Sequence, residues 1–276
     1  MSSPQDSSQD KREPEGGALH ALRILLPAIV AVAATVGWEV MVRVYDIPLY
    51  VLPGPVAVFQ TLFSDWDVLS QSLLTTLATT VEGFIAAAIG GVALALLFNL
   101  SKLLEYSLFP YAVILQVTPV IAIAPLLLIY LPQQTAVIVC AWIVAFFPVL
   151  SNTTLGLNSV DRNLAGLFQL YGASRLQTLR YLKLPTALPY ILGGLRIAGG
   201  LSLIGAVVAE IAAGTAGAGS GLAYRIAESG YRLNIPRMFA ALFLLSLAGI
   251  VIYALLALIS HFALRRWHES ALGKDN

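Results

Sequence analysis

Long apolar runs separated by short polar stretches dominate the chain. They fall at about residues 22–44, 74–98, 107–131, 135–156, 188–212 and 238–263. Each is near the ~20 residues a helix needs to cross the hydrocarbon layer of a bilayer. The runs are continuous rather than alternating, so they predict helices and not strands of a closed barrel. The third and fourth are parted only by Pro132-Gln133-Gln134, a tight turn. After Pro53-Gly54-Pro55, residues Phe59, Leu62, Phe63 and Trp66 recur at helical spacing. They predict a short helix lying on the outer membrane surface. A second short helix is expected near Leu222–Ser229, between a stretch bearing Gly214, Gly217, Gly219 and Gly221 and the later Pro236. The expected fold is all-α, a polytopic bundle of about six transmembrane helices.

Composition strengthens that picture. The chain has 276 residues, 58% hydrophobic and 11% charged, with mean hydropathy +0.81. Soluble domains carry about 25% charged residues, so most side chains here face lipid or one another. Residues 1–20, rich in Ser, Gln, Asp, Glu and Gly, are expected to be a disordered tail. Residues 21–265 form the membrane domain, and 266–276 a second tail. The first apolar run is too long for a signal-peptide core and predicts a retained span, with cleavage near Ala33-Ala34 as the alternative. Cys140 is the sole cysteine. It excludes a disulfide within the chain or a cysteine-based metal site and reads as a small buried apolar residue.

Charge placement sets the orientation. With the N-terminus in the cytoplasm, the inner segments hold Lys11, Arg12, Arg23, Lys102, Arg162, Arg175, Arg180, Lys183, Arg265, Arg266 and Lys274. The outer segments then hold only Arg43, Arg225, Arg232 and Arg237. That excess follows the positive-inside rule and places both termini in the cytoplasm.

The inner segment at 157–187 has the most articulated pattern. Asp161 suits the N-cap of a helix running to about Tyr171. Gly172 suits the left-handed position that ends it. Ser174, with Gln177 three residues later, has the capping-box spacing for a second helix. That helix carries Arg175, Arg180 and Lys183, and Pro185 is expected to stop or bend it. Leu176, Leu179, Leu182 and Leu184 are expected to anchor it. A segment of this kind docks a partner or is an ordinary basic loop held by anionic membrane lipid.

Gly172, followed by Leu182 and Leu184-Pro185, resembles the signature of integral permease subunits of binding-protein-dependent ABC importers. That signature runs Glu-Ala-Ala, three residues, Gly, nine residues, Ile, one residue, Leu-Pro. Gly166-Leu167-Phe168 stands where the family has Glu-Ala-Ala. Leu52-Pro53-Gly54-Pro55, Gly172-Ala173-Ser174-Arg175, Leu188-Pro189, Gly194-Leu195-Arg196, Ala209-Glu210 and Ser220-Gly221-Leu222 resemble the branch that includes nitrate, sulfonate, taurine and bicarbonate permeases. Permeases for thiamine precursors share the pattern. The resemblance implies that Gly172, Ala173, Ser174, Arg175, Leu182, Leu184 and Pro185 belong to a coupling loop. Two cytoplasmic ATPase subunits, a second permease copy or paralogue and an external solute-binding protein would be its partners. ATP and magnesium would sit on the ATPase, with no cofactor on this chain. The location would be a bacterial inner membrane, and no nucleic acid is involved.

No nucleotide site is expected on the chain itself. Gly214 and Gly219 have phosphate-loop spacing, but Ser220-Gly221 follow without the lysine that the mechanism needs. Glu39 and Arg43, four apart on the first span, are placed to pair. Arg196 and Glu210 are about 20 Å apart along one helix and cannot pair. Arg196 is expected to meet a lipid phosphate or a helix end, with substrate contact as the alternative. Gln116, Thr118 and Pro119 interrupt the third span with Pro125, and with Glu82 and Glu210 they are candidates for a pathway or gate. Helix packing is the alternative for them. No cluster of His, Asp, Glu or Cys suggests catalysis or a metal. The expected function is an importer permease for a small solute; an ion-coupled secondary transporter or channel is the alternative.

Overall fold

The computed structural model describes residues 15–214 and 219–268. The elements are α1 (Glu15–Val44), α2 (Pro55–Ser64), α3 (Trp66–Leu100), α4 (Lys102–Val117), α5 (Val120–Tyr130) and α6 (Gln133–Asn158). They continue with α7 (Arg162–Leu170), α8 (Arg175–Thr178), a π-helical turn (Leu179–Lys183), α9 (Leu184–Ala213), α10 (Leu222–Tyr231) and α11 (Ile235–His268). No strand occurs among the described residues.

Among the described residues, five helices are long and apolar enough to cross a membrane: within α1, α3, α6, the continuous helix Arg175–Ala213, and α11. The sixth crossing exists only if α4 and α5 count together, and they are bent by 98° at their break. The expected kink in the third span is therefore a full break. Thr118 and Pro119 are both extended, and the Thr118 hydroxyl donates to the Ile114 carbonyl at 2.7 Å. Pro119 brings no N–H, so α4 cannot continue through it without losing a helical bond.

The bundle core is α3, α6 and α9. Small residues let these backbones approach. A Cβ on Gly83 would stand 2.6 Å from the Ala141 Cβ, and one on Gly205 would stand 2.7 Å from the Cys140 carbonyl oxygen. Lipid is as apolar as a helix surface, so close van der Waals contact replaces the hydrophobic drive that holds soluble bundles together. Cys140 is buried among Ala124, Val137, Ala206 and Ala209, as a small apolar residue.

The end of the bundle away from the 157–187 loop is closed by α2, α10 and the start of α11. Val58 and Leu62 of α2 are buried with Leu69, Leu222 and Leu244. The helix expected after Pro53 thus packs on α11, with Phe59 and Phe63 exposed, and Trp66 begins α3 instead of ending α2. α1 lies at the periphery. Glu39 holds it, accepting from Arg43 Nε at 2.6 Å and from the Val56 backbone N–H at 3.2 Å. α1 starts at Glu15, inside the stretch expected as a tail, and α11 continues to His268, past residue 265. The rest of both expected tails, residues 1–14 and 269–276, and Gly217 lie outside the described residues.

Candidate functional site

The loop between α6 and α9 is built from local signals that interlock. The Asp161 carboxylate accepts from the Asn163 and Leu164 N–H groups at 2.6 and 3.4 Å, starting α7. At the other end of α7, Gly172 has φ +69. Its N–H donates to the Gln169 carbonyl, and the Ala173 N–H donates to the Phe168 carbonyl, both at 3.0 Å. This is a complete Schellman motif, and it requires the left-handed residue that glycine supplies at least cost. One residue on, Ser174 Oγ accepts from the Gln177 N–H at 3.2 Å while Gln177 Oε1 accepts from the Ser174 N–H at 2.7 Å. The capping box is closed, so the direction of the chain is fixed on both sides of Gly172.

Beyond the cap the helix never stops. Leu184 N–H donates five residues back to the Leu179 carbonyl, one π-turn, and Pro185 sits in the first turn of α9. Of the two expectations for Pro185, a stop or a bend, the stop is corrected. The π-turn shifts the ladder by one residue where the proline has no N–H to give, so α8 runs into α9 unbroken. Leu179 and Leu182 are buried, and Leu179 joins the core that holds Phe98, Leu150 and Ala187. Leu184 packs against the same core. Leu176 does not anchor the segment as expected; it is 68% exposed. Leu170 and Tyr171, beside the glycine turn, are 85% and 83% exposed. The loop is thus a rigid bracket with an apolar outer face and an anchor in the core.

The candidate pathway residues are not brought together. Gln116 and Pro119 are exposed at the α4–α5 break, Thr118 is half-buried there, and Glu82 is exposed on α3. No hydrogen bond or ion pair joins them among the described residues. Glu210 is buried and holds α10 in place: its Oε2 accepts from Thr76 Oγ1 and from the Ala223 N–H, each at 3.1 Å. Thr76 Oγ1 in turn accepts from the Leu222 N–H at 2.8 Å. Glu210 and Thr76 thus satisfy the first N–H groups of α10, which a helix cannot pair internally. Thr76 was missed by sequence reasoning. The signal was the run of hydroxyls Thr75, Thr76, Thr79 and Thr80 on one span. Arg196 is half-buried and makes no ion pair among the described residues.

Charge pairing differs between the two ends. At the far end Arg43 pairs with Glu39, Arg225 and Arg232 with Glu228, and Arg237 with Asp65. At the loop end Arg162, Arg175, Arg180 and Lys183 have no acidic partner among the described residues, and only Lys102 is paired, with Glu105 at 2.5 Å.

The family described as "Binding-protein-dependent transport system inner membrane component" matches residues 83–266, which include the whole bracket. The chain belongs to that family. It is 35% identical over 239 residues to the riboflavin transport system permease protein RibX of Chloroflexus aurantiacus, covering 84% of this chain and 86% of that one. It is 29% identical over 255 residues to the putative aliphatic sulfonates transport permease protein SsuC of Bacillus subtilis, covering 91% and 88%. Its fold is similar to a chain in the crystal structure of an amino acid ABC transporter with histidines, with a TM-score of 0.60 at 20% identity over 74% of this chain and 97% of that one. The protein is a multi-pass permease subunit of an ATP-driven importer.

Proposed function

We propose that the bracket from Asp161 to Lys183 is the coupling element of this permease, docking on a separate cytoplasmic ATPase subunit. The observation that carries this is the pairing of an exposed apolar face with a buried anchor on one unbroken helix. Leu170, Tyr171 and Leu176 offer contact area outside, while Leu179, with Leu184 packed beside it, joins the loop to the core of α3, α6 and α9, and Leu182 is buried as well. A push on the turn at Gly172 therefore reaches α9 without passing a flexible joint. Two such chains, identical or paralogous, would form the pathway with two ATPase subunits, which carry the ATP and magnesium. The far end, with its paired arginines, would receive an external solute-binding protein.

The unpaired cations support a bracket on the cytoplasmic side, which would put both termini on that side of a bacterial inner membrane. The break at Thr118, with Gln116 and Pro119 exposed beside it, and the exposed Glu82 belong to the surface that a second copy would cover or the solute would pass. The solute is a small one of the kinds for which relatives are named, a riboflavin-like heterocycle or an aliphatic sulfonate. Affinity purification of the full chain, expressed with its neighbouring genes, should bring down an ATPase. Recovery of the permease with no ATPase would reject the docking role. Orientation is read separately: in a Cys140→Ser background, Gln177→Cys should react with an impermeant maleimide only when the cytoplasmic side is open.

A further inference from the structure

A cleft of about 630 Å³ opens between the α3–α4 corner and the bracket, with Lys102, Arg175 and Lys183 in its wall. We propose that it binds a phosphate-bearing anion, which ties the coupling loop to the α3–α4 corner.

Three observations support this. The cations converge from three separate segments: the start of α4, the start of α8 and the π-turn. Lys102 and Lys183 share that wall, and Lys183 is half-buried. No carboxylate lines the cleft. Glu105, which pairs with Lys102, leaves the other two cations unmatched. Every arginine named at the far end has an acidic partner, whereas Arg162, Arg175, Arg180 and Lys183 at the loop end have none among the described residues, and of these Arg175 and Lys183 face the cleft. Neutral groups complete the wall. Lys183 Nζ donates to Asn99 Oδ1 at 3.0 Å, which leaves two further N–H donors on the ammonium, and Thr178 and Gln169 add polar groups. The planar guanidinium of Arg175 can donate two parallel bonds to phosphate oxygens, while a lysine supplies a point charge. The outer side of the glycine turn is a different cleft, walled by Phe168, Tyr171 and Tyr181. The basic cleft instead takes in Asn99 to Lys102 and lies between the bracket and the bundle.

Two sources offer the same chemistry: an anionic phospholipid headgroup of the inner leaflet, or free phosphate. The lipid source rests on the proposed orientation, which the Gln177→Cys labelling tests independently. The binding readout needs no ATPase, so it can fail while the docking role stands.

The experiment uses the full chain, purified in a zwitterionic detergent. Native mass spectrometry counts retained phosphatidylglycerol against phosphatidylcholine, and a second arm measures the shift in thermal midpoint with inorganic phosphate. Each surface lysine contributes about a fivefold change in affinity for an anionic headgroup. Lys102→Gln with Lys183→Gln should therefore weaken binding at least about tenfold. Lys102→Arg with Lys183→Arg should retain it, which guards against simple misfolding. The control, Arg162→Gln with Arg180→Gln, removes equal charge from residues outside the cleft wall and should weaken binding clearly less than the lysine pair. Selective retention of phosphatidylglycerol assigns the lipid headgroup, and a response to inorganic phosphate alone assigns the soluble anion. Equal losses in the control and the cleft variants, or no binding of either probe, would overturn the proposal.

Discussion

Replacing Gly172 separates what the loop needs for its own fold from what a partner needs of it. The backbone there has φ +69, a region that costs an ordinary residue about 1–2 kcal/mol. A Cβ at this position would meet no atom within 4 Å. Within the chain, Gly172→Ala and Gly172→Leu should therefore cost nearly the same. That cost lowers the ratio of capped to uncapped loop by a factor of about 5–30. Gly172→Asn should cost less, because asparagine tolerates the left-handed region. Hydrogen exchange at the Gly172 and Ala173 amides reports the cap directly, since those N–H groups form the Schellman bonds. Uptake by proteoliposomes reconstituted with ATPase and binding protein reports coupling. The expected pattern is similar exchange for the Ala and Leu variants, but much lower uptake for Leu, whose longer side chain enters the space assigned to the ATPase. If Leu transports as well as Ala, no partner surface lies over Gly172, and the coupling argument fails at its centre.

Gly221→Ala should destabilise the far end by about 2–3 kcal/mol, seen as a lower thermal midpoint. Its Cβ would stand 2.1 Å from the Glu210 carboxyl, which cannot retreat without releasing Thr76 and Ala223. Ser174→Ala opens the capping box and should cost about 1 kcal/mol, read as faster exchange at the Gln177 amide with membrane insertion unchanged. Gly205→Leu should prevent α9 from seating on α6, because a Cβ there already stands 2.7 Å from the Cys140 carbonyl oxygen; loss of a monodisperse peak on size exclusion would show it. Gly166→Ala should stabilise α7 by about 1 kcal/mol, since a Cβ at that position meets nothing within 4 Å, and helicity of the loop by exchange would check this.

The sequence alone determined the features that depend on near neighbours in the chain. Asp161, Gly172, Ser174 and Gln177 act within five residues of themselves, so helix–glycine–helix was legible before any tertiary contact was known. The apolar runs were equally legible, because a bilayer demands the same length and continuity of every span. The tertiary structure decided what depended on distant partners. Glu210 is a pathway candidate by sequence, and only the fold shows that it clasps the start of α10 together with Thr76, 134 residues away. Gln116 and Pro119 marked an interruption, yet its 98° angle reflects how α5 packs against α6 and α9, which no local pattern encodes. Leu176 and Leu179 are equivalent by hydropathy. Only the direction in which the bracket meets the bundle sends one to solvent and the other into the core. The same holds for Lys102, Arg175 and Lys183: their number is written in the chain, but their convergence on one cleft, with only Lys102 matched by an acid, is a property of the fold.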